Sequence, residues 1–154
     1  MKKISLLLLF ISLLICCSGC NKEEVLDTYQ KEVEKVGDTV LTNKYQLKGK
    51  REFGKDHYIG TYEVNYRNFK GEERLFGGTT IERENPKIHI TLEIKDSKGK
   101  LNVLMKLKEQ EENLASTDGT YEFDFDIKDG SNYLIVKADD YSGSVKIIIE
   151  EGKV

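Results

Sequence analysis

The sequence predicts an all-β domain, built as an antiparallel sandwich or barrel of about eight short strands. Three observations lead to this prediction. From residue 39 onward, apolar and polar side chains alternate, turn dipeptides recur between the alternating segments, and no strong helical period competes with them. Strict alternation is typical of strands with one buried and one solvated face. Several short strands separated by glycine-containing turns favour a sandwich or a barrel.

Alternation is clearest in the segment that follows Pro86, where aliphatic residues alternate with His89, Thr91 and Glu93. One face of this strand is therefore entirely apolar, and we expect it to face the core. The other clear segments are 58–66, 101–107, 121–127 and 145–149, with further strands predicted at 40–49, 75–81 and 133–138.

One turn sequence predicts a hairpin. DSKGK at 96–100 separates two alternating segments, and a glycine-containing turn of this kind is typical of a hairpin. Asp129-Gly130 is a turn signal between the segments 121–127 and 133–138, which would form a second hairpin there if they pair.

The first 19 residues have the layout of a secretory signal. Lys2 and Lys3 precede an apolar run at 4–17, which small residues follow. This run is shorter than the roughly 20 apolar residues that cross a bilayer as a helix. A cleaved signal is therefore a better interpretation than a permanent membrane span.

The segment Cys17-Ser18-Gly19-Cys20 resembles the lipobox of bacterial lipoproteins, although the family usually has Leu where this chain has Cys17. In that family, two small residues precede a cysteine that carries a diacylglycerol and becomes the new N-terminus. The resemblance implies that Cys20 is lipidated and holds the protein on the outer face of the bacterial cytoplasmic membrane. The alternative is ordinary secretion, with Cys20 as an unused thiol.

The lipobox resemblance divides the chain into a signal peptide at 1–19, a lipidated and charged tether at 20–38, and a β-sandwich domain at 39–154. The tether has a sparse helical stripe, so that a short helix and a disordered spacer both remain open. No cysteine follows Cys20, so the domain has no internal disulfide and must be stabilised by its core.

The C-terminal stretch at 129–150 is similar to the closing strands of small bacterial jelly-roll modules. It has an aromatic-led strand, an acidic turn with glycine and an apolar last strand. This resemblance implies a jelly-roll-like sandwich and nothing about the ligand.

Charge excludes one class of partner. The chain has 24 basic and 27 acidic residues, a net charge of −3, and loss of Lys2 and Lys3 would make it more acidic. A net acidic chain argues against general nucleic-acid binding. The basic stretch at 44–55 is either a solvated strand edge or a surface that lies against anionic headgroups.

Tyr58, Tyr62 and Tyr66 lie on one face of a predicted strand and are candidates for glycan binding. If that face is outside, the rings form a stacking platform, and if it is inside, they are core residues. Alternation with charged and polar residues favours the inside position.

His57, next to Asp56, is the only candidate for a general base in a loop, and a solvated pair is the commoner interpretation. No elbow motif supplies a serine nucleophile. We predict neither a catalytic site nor a cofactor. Acidic residues that could attract calcium are more typical of a solvated face, and their spacing departs from an EF-hand: Asp124, Asp126, Asp129, Asp139 and Asp140.

The sequence therefore predicts a membrane-anchored envelope lipoprotein that acts as a non-catalytic binding module. Its expected partners are the membrane and an unidentified envelope protein or glycan. The alternatives are a small envelope hydrolase that uses His57 and Asp56, and a structural or assembly lipoprotein.

Overall fold

A computed structural model describes Tyr29 and residues 40–80 and 83–153. The predicted signal peptide, Cys20 and all of the predicted tether except Tyr29 lie outside these described residues, and the predicted domain boundaries stay predictions. In the described ranges no helix combines the length and the hydrophobicity that a membrane crossing requires.

The described chain is all-β and antiparallel, as predicted. It has six strands: β1 Lys50–Phe53, β2 Gly60–Thr80, β3 Lys87–Leu107, β4 Gln110–Ala115, β5 Gly119–Asp126 and β6 Gly130–Glu151. The hydrogen-bonded order is β1-β2-β6-β3-β4, and β5 pairs with the free side of the first half of β3. The predicted strand at 40–49 instead forms turns.

Three strands, β2, β3 and β6, are long enough that each contributes one half to each of two layers. The first halves of β2 and β3 pair with the second half of β6, whereas their second halves pair with its first half. β1 and β5 extend the first layer, and β4 extends the second. Buried residues from both halves of each long strand form one core cluster, so the sheet is folded over onto itself as a sandwich.

The bends explain why six strands replace the predicted eight. Residues 96–100 do not form a hairpin, because the chain continues through them as one strand with a register shift against β6. Asp96 and Gly99 both have positive φ there, at 58° and 85°. A Cβ on Gly99 would lie 2.0 Å from the carbonyl oxygen of Asp140, so only glycine fits this close approach.

The segments on either side of Asp129-Gly130 do not pair as a hairpin. β5 pairs with the first half of β3, whereas the start of β6 pairs with the second half of β3. The loop therefore connects the first layer with the second instead of making a tight turn.

The inner face of β3 matches the predicted pattern, since its four alternating aliphatic residues 88–94 are all buried. Leu92 is fully buried, between its cross-strand neighbours Tyr121 and Ile147. Thr91 is on the opposite face of the same strand and is half-buried.

Leu92→Ala should lower the free energy of unfolding by about 2–5 kcal/mol, because it leaves a cavity in the core. Chemical denaturation measures this change. Thr91→Ala is the matched control, and its expected cost is below about 1 kcal/mol. Equal costs at the two positions would contradict the assigned faces of β3.

Candidate functional site

Exposed large hydrophobic side chains are few among the described residues. They are Tyr29, Tyr45 at 84% and Phe53 at 39%. Tyr45 and Phe53 line the same surface depression, which has a volume of about 390 Å³. We call it the aromatic depression, and its lining residues are Leu41, Thr42, Asn43, Lys44, Tyr45, Arg51, Phe53 and His57.

A hydrogen-bonded turn presents Tyr45. The Asn43 side-chain oxygen accepts a hydrogen bond from the Tyr45 backbone N–H at 3.0 Å, and its carbonyl oxygen accepts from Gln46 and Leu47. Such an Asx turn fixes the backbone without a strand partner. The ammonium nitrogen of Lys44 lies 4.9 Å from the centre of the Tyr45 ring.

Arg51 joins this turn to the sheet. Its guanidinium donates to the carbonyl oxygens of Thr42, Arg74 and Leu75 at 3.0–3.3 Å. Burial lowers the pKa of Arg51, although these bonds and nearby acidic groups favour its charged form. The guanidinium carbon also lies 4.5 Å from the centre of the Phe53 ring.

Phe53 is supported from two sides. Its ring centre lies 4.4 Å from that of His57 and 5.9 Å from that of Phe76, which is buried in the core. The His57 carbonyl accepts a hydrogen bond from the Gly77 N–H at 2.7 Å, which fixes the loop before β2. The exposed part of Phe53 is therefore held in one orientation.

Asp56 does not have the arrangement expected of a hydrolase dyad. Its Oδ1 accepts hydrogen bonds from the N–H groups of Tyr58 and Ile59, and its Oδ2 accepts two from Arg83 at 2.8 and 3.2 Å. Both carboxylate oxygens are thus engaged in shaping the loop. His57, by contrast, lines the aromatic depression as one of its walls.

The three tyrosines predicted to bind glycan are inside the sandwich. Tyr58, Tyr62 and Tyr66 are all buried, and the last two belong to the core face of β2. Their burial agrees with the inside position, which the alternation favoured, and these three rings form no exposed stacking platform.

Two of these tyrosines donate hydrogen bonds to a buried carboxyl group. Glu73 is 2% exposed, and its Oε2 accepts hydrogen bonds from the hydroxyls of Tyr62 at 2.7 Å and Tyr66 at 2.6 Å. Its Oε1 accepts from the Lys48 N–H at 2.6 Å, and the Tyr62 hydroxyl accepts from the Gly49 N–H. This buried cluster therefore fastens the chain that follows the Tyr45 turn.

Burial raises the pKa of both tyrosine hydroxyls above the ordinary value. Further upward contributions come from Glu73 at Tyr62, and from Tyr62 and Glu73 at Tyr66. Both groups are consequently protonated donors at neutral pH. A buried carboxylate needs such donors, because an unpaired buried charge is strongly unfavourable.

The acidic residues considered for calcium are dispersed. Asp124 lies on the solvated face of β5, 2.9 Å from the Nδ1 of His89, in a separate depression of about 700 Å³. Asp139 lies at the bend of β6 and pairs with Lys70 at 2.9 Å. Among the described residues, no group of three or more histidine, cysteine or acidic side chains is arranged to hold a metal ion.

Comparisons with known proteins add little to this geometry. The chain matches no protein-family model and no curated protein sequence. It is similar to a mutant of a family 29 carbohydrate binding module, at 12% identity and a TM-score of 0.38 over 68% of this chain and 76% of that one.

Two further similar structures are described as BiXyn10A CBM1 and as a cupin domain of Bordetella pertussis Tohama I. Their identities are 11% and 13%, and their TM-scores are 0.34 and 0.33. They cover 69% and 66% of this chain and 91% of each of the other chains. Since all three TM-scores are below 0.5, the likeness says nothing about ligand or activity.

Tyr45 and Phe53 were not predicted as site residues, whereas His57 was a candidate base and the basic stretch at 44–55 a candidate surface for anionic headgroups. Both aromatic residues lie in the basic and polar sequence TNKYQLKGKREF at 42–53. An aromatic residue among so many charged and polar neighbours is a signal of exposure.

The buried tyrosines make a prediction about alkaline pH. Because their pKa values are raised on folding, the folded chain holds these protons more tightly than the unfolded chain. Their contribution to the free energy of unfolding is therefore fully present below the unfolded-state pKa of about 10, and it is lost as the pH rises above that value. Tyr66→Phe should lower stability at pH 7, since Glu73 loses a donor, but should make the alkaline decline shallower.

Urea denaturation between pH 7 and pH 11 tests this expectation. Tyr45→Phe, which alters an exposed tyrosine of the same chain, is the control and should keep the wild-type decline. An unchanged alkaline decline in Tyr66→Phe would contradict the role assigned to the buried hydroxyl.

Proposed function

We propose that this chain is a non-catalytic binding module that captures its ligand in the aromatic depression. The observation that carries the proposal is the convergence of the exposed rings of Tyr45 and Phe53 on one concave surface. Ligand sites are typically concave, with volumes of roughly 300–1,000 Å³, and combine aromatic walls with a few polar groups. At about 390 Å³, the depression falls within that range.

The site is also held in shape before any ligand arrives. The turn that carries Tyr45 is closed by hydrogen bonds to Asn43, and Phe53 is supported by Phe76 and His57. A preformed site loses less conformational entropy on binding, which favours affinity.

A saccharide matches this lining well. A sugar ring has an apolar C–H face that stacks on an aromatic ring, and hydroxyl groups around its rim that exchange hydrogen bonds. Tyr45 offers an exposed ring face, and Lys44, Arg51 and Asn43 supply polar groups next to it. An envelope protein with an exposed aromatic or acidic segment is the second candidate partner.

The polar groups favour holding a ligand over reacting with it. The Thr42 hydroxyl accepts a hydrogen bond from the Arg74 N–H at 2.8 Å, and Asp56 is engaged by Arg83 and the backbone. An activated nucleophile needs a base within hydrogen-bond reach and a group that orients the base. The hydrolase alternative requires Asp56 to orient His57, but both carboxylate oxygens of Asp56 accept hydrogen bonds from other donors.

We further propose that Cys20 anchors this module to the outer face of the bacterial cytoplasmic membrane. The support is the sequence layout of a basic start, an apolar run and the lipobox-like Ser18-Gly19-Cys20. Two acyl chains on one cysteine hold a protein stably at a membrane, whereas a single chain binds only marginally.

Tyr45→Ala should weaken binding of the recognised glycan by at least about tenfold, because it removes the main exposed ring of the site. A glycan array identifies the ligand, and isothermal titration calorimetry measures the change in affinity.

Tyr121→Ala is the matched control, since it removes a half-buried tyrosine of β5 that does not line the depression, and it should bind like the wild type. Thermal unfolding confirms that both variants are folded. Wild-type affinity in Tyr45→Ala would place the binding site elsewhere on the protein.

For the anchor, mass spectrometry of the membrane fraction should find an N-terminal peptide that begins at a diacylated Cys20. Cys20→Ser should release the protein from the membrane fraction, because the acceptor thiol is gone. An unmodified Cys20 within a longer peptide would refute the proposed processing.

A further inference from the structure

We infer that the ligand of the aromatic depression is an acidic saccharide, whose negative charge lies beside the sugar ring that stacks on Tyr45. This inference deepens the proposed function and depends on it. It follows from the charges of the lining: the described residues of the wall include Lys44 and Arg51, and none of them carries a carboxylate. A lining without carboxylates contrasts with the chain as a whole, in which acidic residues outnumber basic ones.

Lys44 differs from the lysines of the described surface that are paired with carboxylates. Six described lysines are within salt-bridge distance of a carboxylate: Lys50, Lys55, Lys70, Lys95, Lys137 and Lys146. Lys44 forms no ion pair with any described carboxylate, and its ammonium lies over the Tyr45 ring instead. Its positive charge is therefore available next to the stacking surface.

Arg51 provides a second, rigid cation. Its three hydrogen bonds go to main-chain carbonyl oxygens, which fix the guanidinium without neutralising it. The buried Glu73 also acts electrostatically on Arg51, but the oxygens of Glu73 accept hydrogen bonds from Tyr62, Tyr66 and the Lys48 N–H. A ligand carboxylate, sulfate or phosphate in the depression would complement both cations.

The same chemistry occurs in anionic lipid headgroups, but the shape of the site favours a saccharide. A surface that inserts into a bilayer interface presents protruding apolar side chains. Here Phe53 lies against Arg51 and His57 in the wall of the aromatic depression, and the exposed ring of Tyr45 lines the same depression. A concave wall encloses a discrete ring better than it contacts a planar membrane.

The test uses the full chain with its native anchor, purified in detergent micelles, on an array of matched pairs. Each pair contains an acidic saccharide and its neutral counterpart, namely oligogalacturonate with its methyl ester, and sugar phosphates with the free sugars. We expect the acidic member of a pair to bind at least several-fold more tightly, with an advantage that shrinks as salt is raised.

Variants separate the charge from the stacking ring. Lys44→Gln should reduce affinity for the acidic member by about 3- to 10-fold and leave the neutral member unchanged. Lys98→Gln, which makes the same charge change at an exposed lysine outside the depression, should bind both members like the wild type. Tyr45→Ala should weaken both members equally, since it removes the stacking ring.

Equal affinity for the acidic and neutral members, with sensitivity to Tyr45→Ala, would overturn the acidic-ligand inference and leave the binding module intact. Absence of saccharide binding, or wild-type binding in Tyr45→Ala, would overturn both. In a parallel arm, the chain with Cys20→Ser is mixed with phosphatidylglycerol or phosphatidylcholine vesicles. The site would be assigned to a membrane surface if the chain binds only the anionic vesicles, loses this binding in Lys44→Gln and binds no saccharide.

Discussion

A buried carboxylate is the constraint from which much of this structure follows. Glu73 is buried away from water, so its carboxyl oxygens must be surrounded by hydrogen-bond donors to be tolerated. Two of its donors, Tyr62 and Tyr66, come from the core face of β2, and the third is the backbone of Lys48. The cluster therefore ties the segment before β1 to the interior of the sandwich. That segment carries the Tyr45 turn, so the shape of a solvent-facing depression depends on a carboxylate that solvent does not reach.

The fold class could be predicted because alternation records which face of a strand is buried. In β3 the pattern at 88–94 assigned the inner face correctly, and Leu92 is fully buried. Connectivity could not be predicted in the same way. A glycine-containing polar segment such as 96–100 occurs both in hairpins and in bulged bends, and the choice depends on the partner strand. Here that partner is β6, whose Asp140 carbonyl lies so close to Gly99 that a side chain would not fit.

The candidate site was harder to foresee than the fold. Tyr58, Tyr62 and Tyr66 attracted attention because they share a strand face, yet sharing a face with regular alternation is what core residues do. The exposed rings of Tyr45 and Phe53 come from a turn and an edge strand that have no common period. They converge because Arg51 bonds main-chain carbonyl oxygens, and the sequence does not show which carbonyls an arginine will reach.

The attachment of Thr42 has a mechanical consequence. Its N–H donates to the Arg74 carbonyl at 3.0 Å, its hydroxyl accepts from the Arg74 N–H at 2.8 Å, and its own carbonyl accepts from Arg51 at 3.0 Å. Tension that enters the domain from its N-terminal side therefore reaches this clamp on β2 before it reaches the turn at 43–47. The clamp transfers the load to the central sheet and isolates the turn from strain. The aromatic depression can then keep its geometry under load, although it lies only a few residues from the segment that carries the force.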